Sequence, residues 1–402
     1  MSLEGFAGDK SFKKRMFIPA LLLVVFLCNT FAYFFSIVLI DVSKSFGISV
    51  GTASQILAIT RFAGLIMGLA MGFLSIRFKE KSLLLTGVAF YAAGALGSSL
   101  APDLTVMAFF QLLLGIGSSM ATIMTYALIG TFLPLEKRGW TIGLVWSTIF
   151  ITNVVVTPLT GVMADMAGWR SFLSWFVFPV GIVSLIVGFL IFPSKTPQLQ
   201  PPTKHFYLKA FKQILSNKSA IACVLSTMLV SIYACTPIYA PSFYRSIFSV
   251  PITTAGLFSA VVGATGIFGG LLAGRFMDRV GRKNLTVLTG LVSGFFVVFF
   301  TFIPNLWISV VFWGVSAFFV SMTWAALFGL SLEQVPNYRG TMMSLNHSFR
   351  YLGAILGLAV GGLVLNAFAN NFQILMVILG SSNLALAIIL FLIAIDTCRE
   401  TD

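Results

Sequence analysis

Charge is scarce in this sequence. Asp, Glu, Lys and Arg make up only 9% of its 402 residues, where a soluble domain carries about 25%. Hydrophobic residues reach 58%, more apolar surface than a water-soluble core of this length can hide, so the solvent is lipid. Carboxylates are scarcest of all, with 12 Asp and Glu against 25 Lys and Arg. There are two histidines, and the four cysteines (Cys28, Cys223, Cys235, Cys398) show no paired spacing. Clustered His, Cys and carboxylates of the kind that build a metal centre or an activated nucleophile are therefore missing. No phosphate-cradling glycine loop occurs either, since the glycines follow helical spacing. An enzyme is disfavoured, direct ATP drive is disfavoured, and neither cofactor nor metal is expected.

The surplus is long apolar runs. They fall at 16–40, 51–76, 82–100, 104–133, 141–164 and 170–193, then at 219–247, 253–276, 284–303, 306–332, 341–366 and 372–396. Each suffices to cross a hydrocarbon layer that takes about 20 residues of helix. Backbone groups in lipid must be satisfied internally, so the runs read as helices, numbered 1 to 12. The expectation is an all-α membrane protein: an N-terminal six-helix half (1–193), a polar linker (194–218) and a C-terminal six-helix half (219–402). The first run follows Lys10, Lys13, Lys14 and Arg15 and is long enough to span, unlike a cleavable signal peptide.

The net charge of +13 sits in short clusters between the runs, which reads as topology and not as nucleic-acid recognition. An even number of spans puts both termini on one side. That side carries 20 Lys and Arg, the opposite side three (Lys44, Arg170, Arg245). The imbalance predicts cytoplasmic termini in a multi-pass inner or plasma-membrane protein. The linker contains Lys204, Lys209 and Lys212 among apolar residues. It reads equally as a basic amphipathic helix on lipid headgroups and as a solvated tether.

The halves repeat. Gly64, Gly68 and Gly72 in helix 2 recur as Gly266, Gly270 and Gly274 in helix 8, each 202 residues on. Thr86-Gly87 recurs as Thr289-Gly290. Helix 11 carries Gly353, Gly357 and Gly361 where helix 5 has Asn153, Thr157 and Gly161. Glycines four apart let helix backbones approach closely. Six-helix halves repeated in one orientation are a transporter signature.

Between helices 8 and 9 stands Gly274-Arg-Phe-Met-Asp278-Arg279-Val-Gly281-Arg282-Lys283; between helices 2 and 3 stands a degraded copy from Gly72 through Arg77 to Lys81, without the Asp. In these motifs, and in topology along the whole chain, the sequence resembles the major facilitator superfamily, in particular its drug-efflux-like branch. The resemblance implies the major facilitator fold, no cofactor, a monomer, and a cytoplasmic latch between halves carried by Gly72, Arg77, Gly274, Asp278, Arg279, Gly281 and Arg282. Losing the Asp from the first copy weakens that implication. Gly168-Trp169-Arg170 before helix 6 also resembles the family. Two of its patterns are eroded: Gln111 stands four before Gly115 where proton-coupled members often carry Arg, and the helix 5 antiporter pattern survives as Thr157-Pro158-Leu-Thr-Gly161.

A charge at mid-membrane is costly and functional by default. None of the 12 carboxylates falls deep in a run; Asp41, at the outer end of helix 1, comes closest. Arg61 in helix 2 and Arg350 in helix 11 are deep, each about 15 Å from its cytoplasmic end and three residues before a glycine stripe. A guanidinium stays charged. In the resembling fold helices 2 and 11 meet, so the two arginines are expected to converge on an anionic substrate. The alternative is that carbonyls, water or Asp41 satisfy them. His347, three residues before Arg350, is the one deep group titrating near neutrality. With Asp41 it is the candidate for proton coupling, against the plainer role of a packed histidine. The resemblance places helices 1, 4, 7 and 10 around the cavity, which nominates Asn29, Tyr33, Tyr126, Tyr233 and Trp324 as substrate contacts. Pro237 and Pro241, with Tyr233 and Tyr239, mark a break near the outer end of helix 7. The leading expectation is a secondary transporter of a small organic anion by exchange or proton symport. The alternative is proton-coupled efflux of drugs or metabolites, which the missing deep carboxylate disfavours. A receptor or scaffold has no support.

Overall fold

The computed structural model describes residues 10–193, 212–335 and 339–396, and among them there is helix and no strand. Twelve helices follow in order: α1 Lys10–Phe46, α2 Val50–Arg77, α3 Glu80–Leu100, α4 Leu104–Phe132, α5 Leu135–Ala167 and α6 Trp169–Ile191; then α7 Lys218–Ile247, α8 Ile252–Val280, α9 Arg282–Phe300, α10 Leu306–Gln334, α11 Arg339–Ala367 and α12 Phe372–Ile393. Every one contains a stretch long and apolar enough to cross a membrane. Two are irregular. α6 passes through a π-helical turn at Leu173–Val177. α7 stops at Tyr233, turns through Ala234 and Cys235, and restarts at Thr236 with Pro237 in its first turn, where a missing N–H costs nothing. The break expected from the prolines is therefore present, though it falls near the middle of α7 and not near its outer end. Of the linker, residues 194–211 lie outside the described residues.

The repeat is visible where the backbone must turn sharply. Gly47 (φ 63°) and Ser249 (φ 53°) precede α2 and α8; Gly168 (φ 78°) and Asn370 (φ 61°) precede α6 and α12. Each pair is 202 residues apart, and each residue holds a left-handed conformation that costs glycine least and asparagine little. The N-caps match too. Asp103 accepts from Val106 N (2.9 Å) at the start of α4, and Asn305 accepts from Ile308 N (3.2 Å) at the start of α10.

The chain packs as two compact units, Met1–Ile48 with Ile56–Pro201, and Ser49–Gln55 with Pro202–Asp402. In the first, α3 and α4 pack backbone to backbone: a Cβ on Gly117 would lie 2.5 Å from the Gly87 carbonyl oxygen, and one on Gly94 2.9 Å from Leu114 N. In the second, a Cβ on Gly353 of α11 would lie 2.2 Å from the Met228 carbonyl oxygen of α7. One on Gly269 of α8 would meet the Phe318 carbonyl oxygen of α10 at 2.1 Å. The second unit includes the first turns of α2, where Ser49 Oγ donates to Asn366 Oδ1 (2.6 Å) and Gln55 Nε2 to the Leu358 carbonyl (3.0 Å). Lipid tails are as apolar as the side chains, so helices associate through such close backbone approach and a few hydrogen bonds.

The glycine stripes divide on this criterion. On α11 the stripe is a true contact face, since Gly353, Gly357 and Gly361 all abut α7. On α8, Gly270 and Gly274 have open space at the Cβ position, and the tight contact belongs to Gly269 beside them. Gly353→Ala should therefore destabilise the protein by about 1–3 kcal/mol by overpacking. Gly270→Ala should be neutral or stabilising by up to about 1 kcal/mol through helix propensity. Thermal unfolding of the two variants in detergent, compared with the parent, measures the difference.

Candidate functional site

Arg61 lies eleven residues into α2, about 16 Å along it. Its side chain is half-buried and interacts electrostatically with Tyr91 of α3. Among the described residues it has no hydrogen bond or ion pair. The carboxylates that are described sit elsewhere. Asp103 caps α4, and Asp396 accepts from Lys283 N (3.1 Å) at the start of α9. Glu80 accepts from Thr131 (3.0 Å) at one helix end, and Glu333 pairs with Arg282 at another. Asp41, with a partner of its own, is near the end of α1. The metal-ligating groupings that three or more His, Cys, Asp or Glu would make do not occur among the described residues.

Tyr91 is fully buried, and its hydroxyl is completely spoken for. Phe31 N donates to it (3.0 Å), and it shares a 3.0 Å bond with Thr30 Oγ1. Thr30 spends its own proton on the Leu27 carbonyl (2.7 Å), so Tyr91 must be the donor in the shared bond. A main-chain N–H in the middle of α1 thus donates to a side chain of α3. Nearby on α1, Asn29 Nδ2 bonds the Val25 carbonyl of its own helix (2.8 Å), and Tyr33 is half-buried one turn on. Cys28 faces Thr122 of α4, one turn before the half-buried Tyr126. The first unit therefore holds Asn29, Tyr33, Arg61 and Tyr126 as half-buried polar groups on three helices.

In the second unit the Arg350 guanidinium lies 5.6 Å from the ring centroid of Trp324 on α10, within range of a cation–π contact. His347 meets Tyr351 edge-to-face at 5.2 Å and is in electrostatic contact with Arg350. Asn346 is buried beneath them, with its Oδ1 3.1 Å from Thr227 Oγ1 of α7. Arg350, Trp324 and His347 are brought together. Tyr233 is placed apart from them, 3% exposed, its hydroxyl bonded to Ser316 of α10. Ser316 donates to the Ser293 carbonyl of α9 (2.8 Å), and Asn383 of α12 donates to Ser293 Oγ (2.8 Å). Tyr233 thus begins a hydrogen-bonded chain joining four helices. Trp313, also on α10, is core, stacked on Phe300 and tilted against Tyr244.

Of the expected latch, Gly281 takes φ 87°, which only glycine adopts cheaply, and Arg282 pairs with Glu333 and reaches the Gly329 carbonyl (3.4 Å). Arg77, Gly274 and Arg279 are exposed. The side chain of Asp278 and the surroundings of Gly72 lie outside the described residues. The first half has Lys79 at φ −68° in place of Gly281, and Glu80 with Thr131 in place of Arg282 with Glu333. The degraded motif therefore replaces an ion pair with a neutral-donor hydrogen bond.

A family model described as Major Facilitator Superfamily matches residues 21–302 and 232–399. An uncharacterized MFS-type transporter, YcnB of Bacillus subtilis (strain 168), is 20% identical, over 72% of this chain and 73% of the relative. Multidrug resistance protein 3 of the same organism is 22% identical, over 75% and 70%. The crystal structure of a D-xylose-proton symporter superposes with a TM-score of 0.80 at 16% identity, over 95% and 98% of the two chains.

Sequence reasoning did not find Tyr91, one tyrosine in an apolar run with nothing to mark its partners. Tyr91→Phe should cost about 1–2 kcal/mol, because it removes a buried hydroxyl that accepts from Phe31 N and donates to Thr30. Asn29→Ala, which loses a bond only to its own helix, should stay within about 0.5 kcal/mol. Melting temperatures of the two purified variants test the ordering.

Proposed function

The chain belongs to the major facilitator superfamily, as a twelve-helix membrane transporter and not an enzyme, and from that premise we propose that it carries a small organic anion by exchange or in symport with protons. The observation that carries this reading is Arg61: a permanent cation in the middle of a membrane-spanning helix, with no carboxylate partner among the described residues. A central arginine costs about 2.5–3.5 kcal/mol on insertion scales. The negative charge of a substrate offsets that cost in the loaded state and makes binding favourable. In the other half the Arg350 guanidinium, 5.6 Å from the Trp324 ring centroid, is the kind of planar group that recognises a carboxylate bidentately. Asn29, Tyr33 and Tyr126 supply neutral hydrogen bonds, and Tyr233 contributes through the chain that fixes α7. Under symport, His347 beside Arg350 is the proton carrier, with Asp41 as the second candidate. The basic bias of the loops supports cytoplasmic termini, and the exposed Arg77 and Arg279 serve the cytoplasmic latch.

The second reading is proton-coupled efflux of drugs or metabolites, favoured by the similarity to Multidrug resistance protein 3. Antiport of lipophilic cations calls for a deep anionic partner, and the described carboxylates sit at helix ends and loops. The likeness to the symporter structure, at 16% identity, speaks to fold and not to sugar.

Thermal-shift binding on purified protein separates the readings. Succinate, benzoate and inorganic phosphate are run beside tetraphenylphosphonium, on the parent, Arg61→Ala and Arg350→Ala. A small carboxylate should raise the melting temperature of the parent. Each substitution should weaken its binding about tenfold or more, as expected for loss of a charged hydrogen bond. Stabilisation by tetraphenylphosphonium, or carboxylate shifts that survive both substitutions, hands the lead to efflux.

A further inference from the structure

Beside Arg61 is a buried polar tie whose own two positions are apolar in the second half. Gln111 of α4 is fully buried. Its Oε1 accepts from Thr60 Oγ1 of α2 at 2.7 Å, the shorter of that hydroxyl's two contacts, the other being the Ile56 carbonyl of its own helix at 3.1 Å. Its Nε2 donates to Ser98 Oγ of α3 (3.0 Å). Ser98 commits its proton to the Gly94 carbonyl (2.7 Å), so its oxygen can only accept, and this sets which end of the amide faces which helix. Thr60 immediately precedes Arg61. Its carbonyl is pressed against α4 as well, because a Cβ on Gly115 would sit 2.2 Å from it. The backbone of α2 is therefore pinned, at the residue before the arginine, by a side-chain bond and by a glycine contact.

The repeat shows that the fold does not need an amide at this place. The positions 202 residues on from Thr60 and Gln111 are Val262 and Trp313, both buried and apolar, and Trp313 stacks on Phe300. The junction between the equivalent helices is built in the second half by this packing and by Thr265 Oγ1 of α8, which donates to the Gly314 carbonyl of α10 (2.8 Å). In the first half it is built from neutral hydrogen bonds, and the position next in line, Arg61, is Gly263 in the second half. The choice of amide is also informative. A carboxylate at position 111 would compete for the Arg61 charge, and a second guanidinium would repel it. An amide holds Thr60 and leaves the cation's charge intact.

We propose that Gln111 is a positioning residue for Arg61, holding α2 through Thr60 so that an uncompensated guanidinium is presented at a fixed place in the first half. This rests on the reading of Arg61 as the group that takes a substrate's charge, but its test needs no substrate.

The test uses phenylglyoxal, which modifies arginine, on the full chain in detergent, with peptide mass spectrometry following the rates at Arg61 and Arg350 together. Gln111→Leu and Thr60→Val, which remove the two ends of one bond, should each speed modification of Arg61 by about fivefold, the scale of one lost hydrogen bond. Arg350 should stay at its parental rate. Thr60→Ser keeps the hydroxyl and should restore the parental rate at Arg61. The double variant should go no further than either single one, because both break the same bond. If Gln111→Leu does not fold, the Thr60→Val and Thr60→Ser pair carries the comparison. An unchanged Arg61 rate in Thr60→Val overturns the proposal, as does a matching rise at Arg350, which would mean general loosening. A selective Arg61 response in a protein that binds none of the carboxylates would leave the tie standing and remove the anion reading alone.

Discussion

Hydrocarbon offers no hydrogen bonds, and the rest of this structure follows from that. It forces every span into helix. It also removes the driving force that glues helices together in water, since a leucine facing lipid is as comfortable as a leucine facing leucine. Cohesion must come from close approach and from polar groups with nowhere else to go. Gly353 on the Met228 carbonyl and Gly117 on the Gly87 carbonyl are the first kind. Thr323 on Thr289 (2.9 Å) and Asn383 on Ser293 (2.8 Å) are the second. Most buried serines and threonines instead turn back onto a carbonyl three or four residues earlier, as Thr125 and Thr152 do. They are satisfied locally and contribute little to association.

The duplicated halves separate what the fold demands from what the chemistry demands. Left-handed turns recur at Gly47 and Ser249 and at Gly168 and Asn370, and N-caps at Asp103 and Asn305. These are backbone requirements, and both halves meet them with whatever residue tolerates the conformation. Divergence gathers where side chains meet charge. Glu80 stands opposite Arg282 in the repeat, Thr131 opposite Glu333, Arg61 opposite Gly263, and Thr148 opposite Arg350. Neither deep arginine has a symmetric twin, so each half brings its own charged group.

The helices were legible because hydropathy is a one-dimensional signal. The run at 51–76 became Val50–Arg77, and the run at 104–133 became Leu104–Phe132. The largest departure is at α1, expected at 16–40 and extending over Lys10–Phe46, because a helix continues past the membrane wherever its backbone bonds can. The break in α7 was legible from its prolines. Glycine spacing was a poorer guide. Four-residue periodicity marks a face, and only the neighbouring helix decides whether that face is filled, as on α11, or open, as at Gly270 and Gly274. The deep arginines were legible as rare charges in apolar runs. Tyr91 and Ser98 were not, since a phenol or hydroxyl reveals its role only through partners dozens of residues away. Gln111 was noticed solely as a departure from a family pattern.

That departure bears on how an apolar protein keeps a charge usable. An arginine in lipid is driven to find a partner, and the surest way to silence it is a carboxylate close by. Four of the described carboxylates are committed at helix ends, to a backbone N–H at Asp103 and Asp396, to a threonine at Glu80 and to an arginine at Glu333. Tyr91, in electrostatic contact with Arg61, is bonded to Thr30 and Phe31, and Gln111, bonded to the adjoining Thr60, is held by Ser98 as well. Both groups are polar but neutral, so neither neutralises the cation as a carboxylate would. That is the electrostatic condition under which an incoming anion gains most from binding.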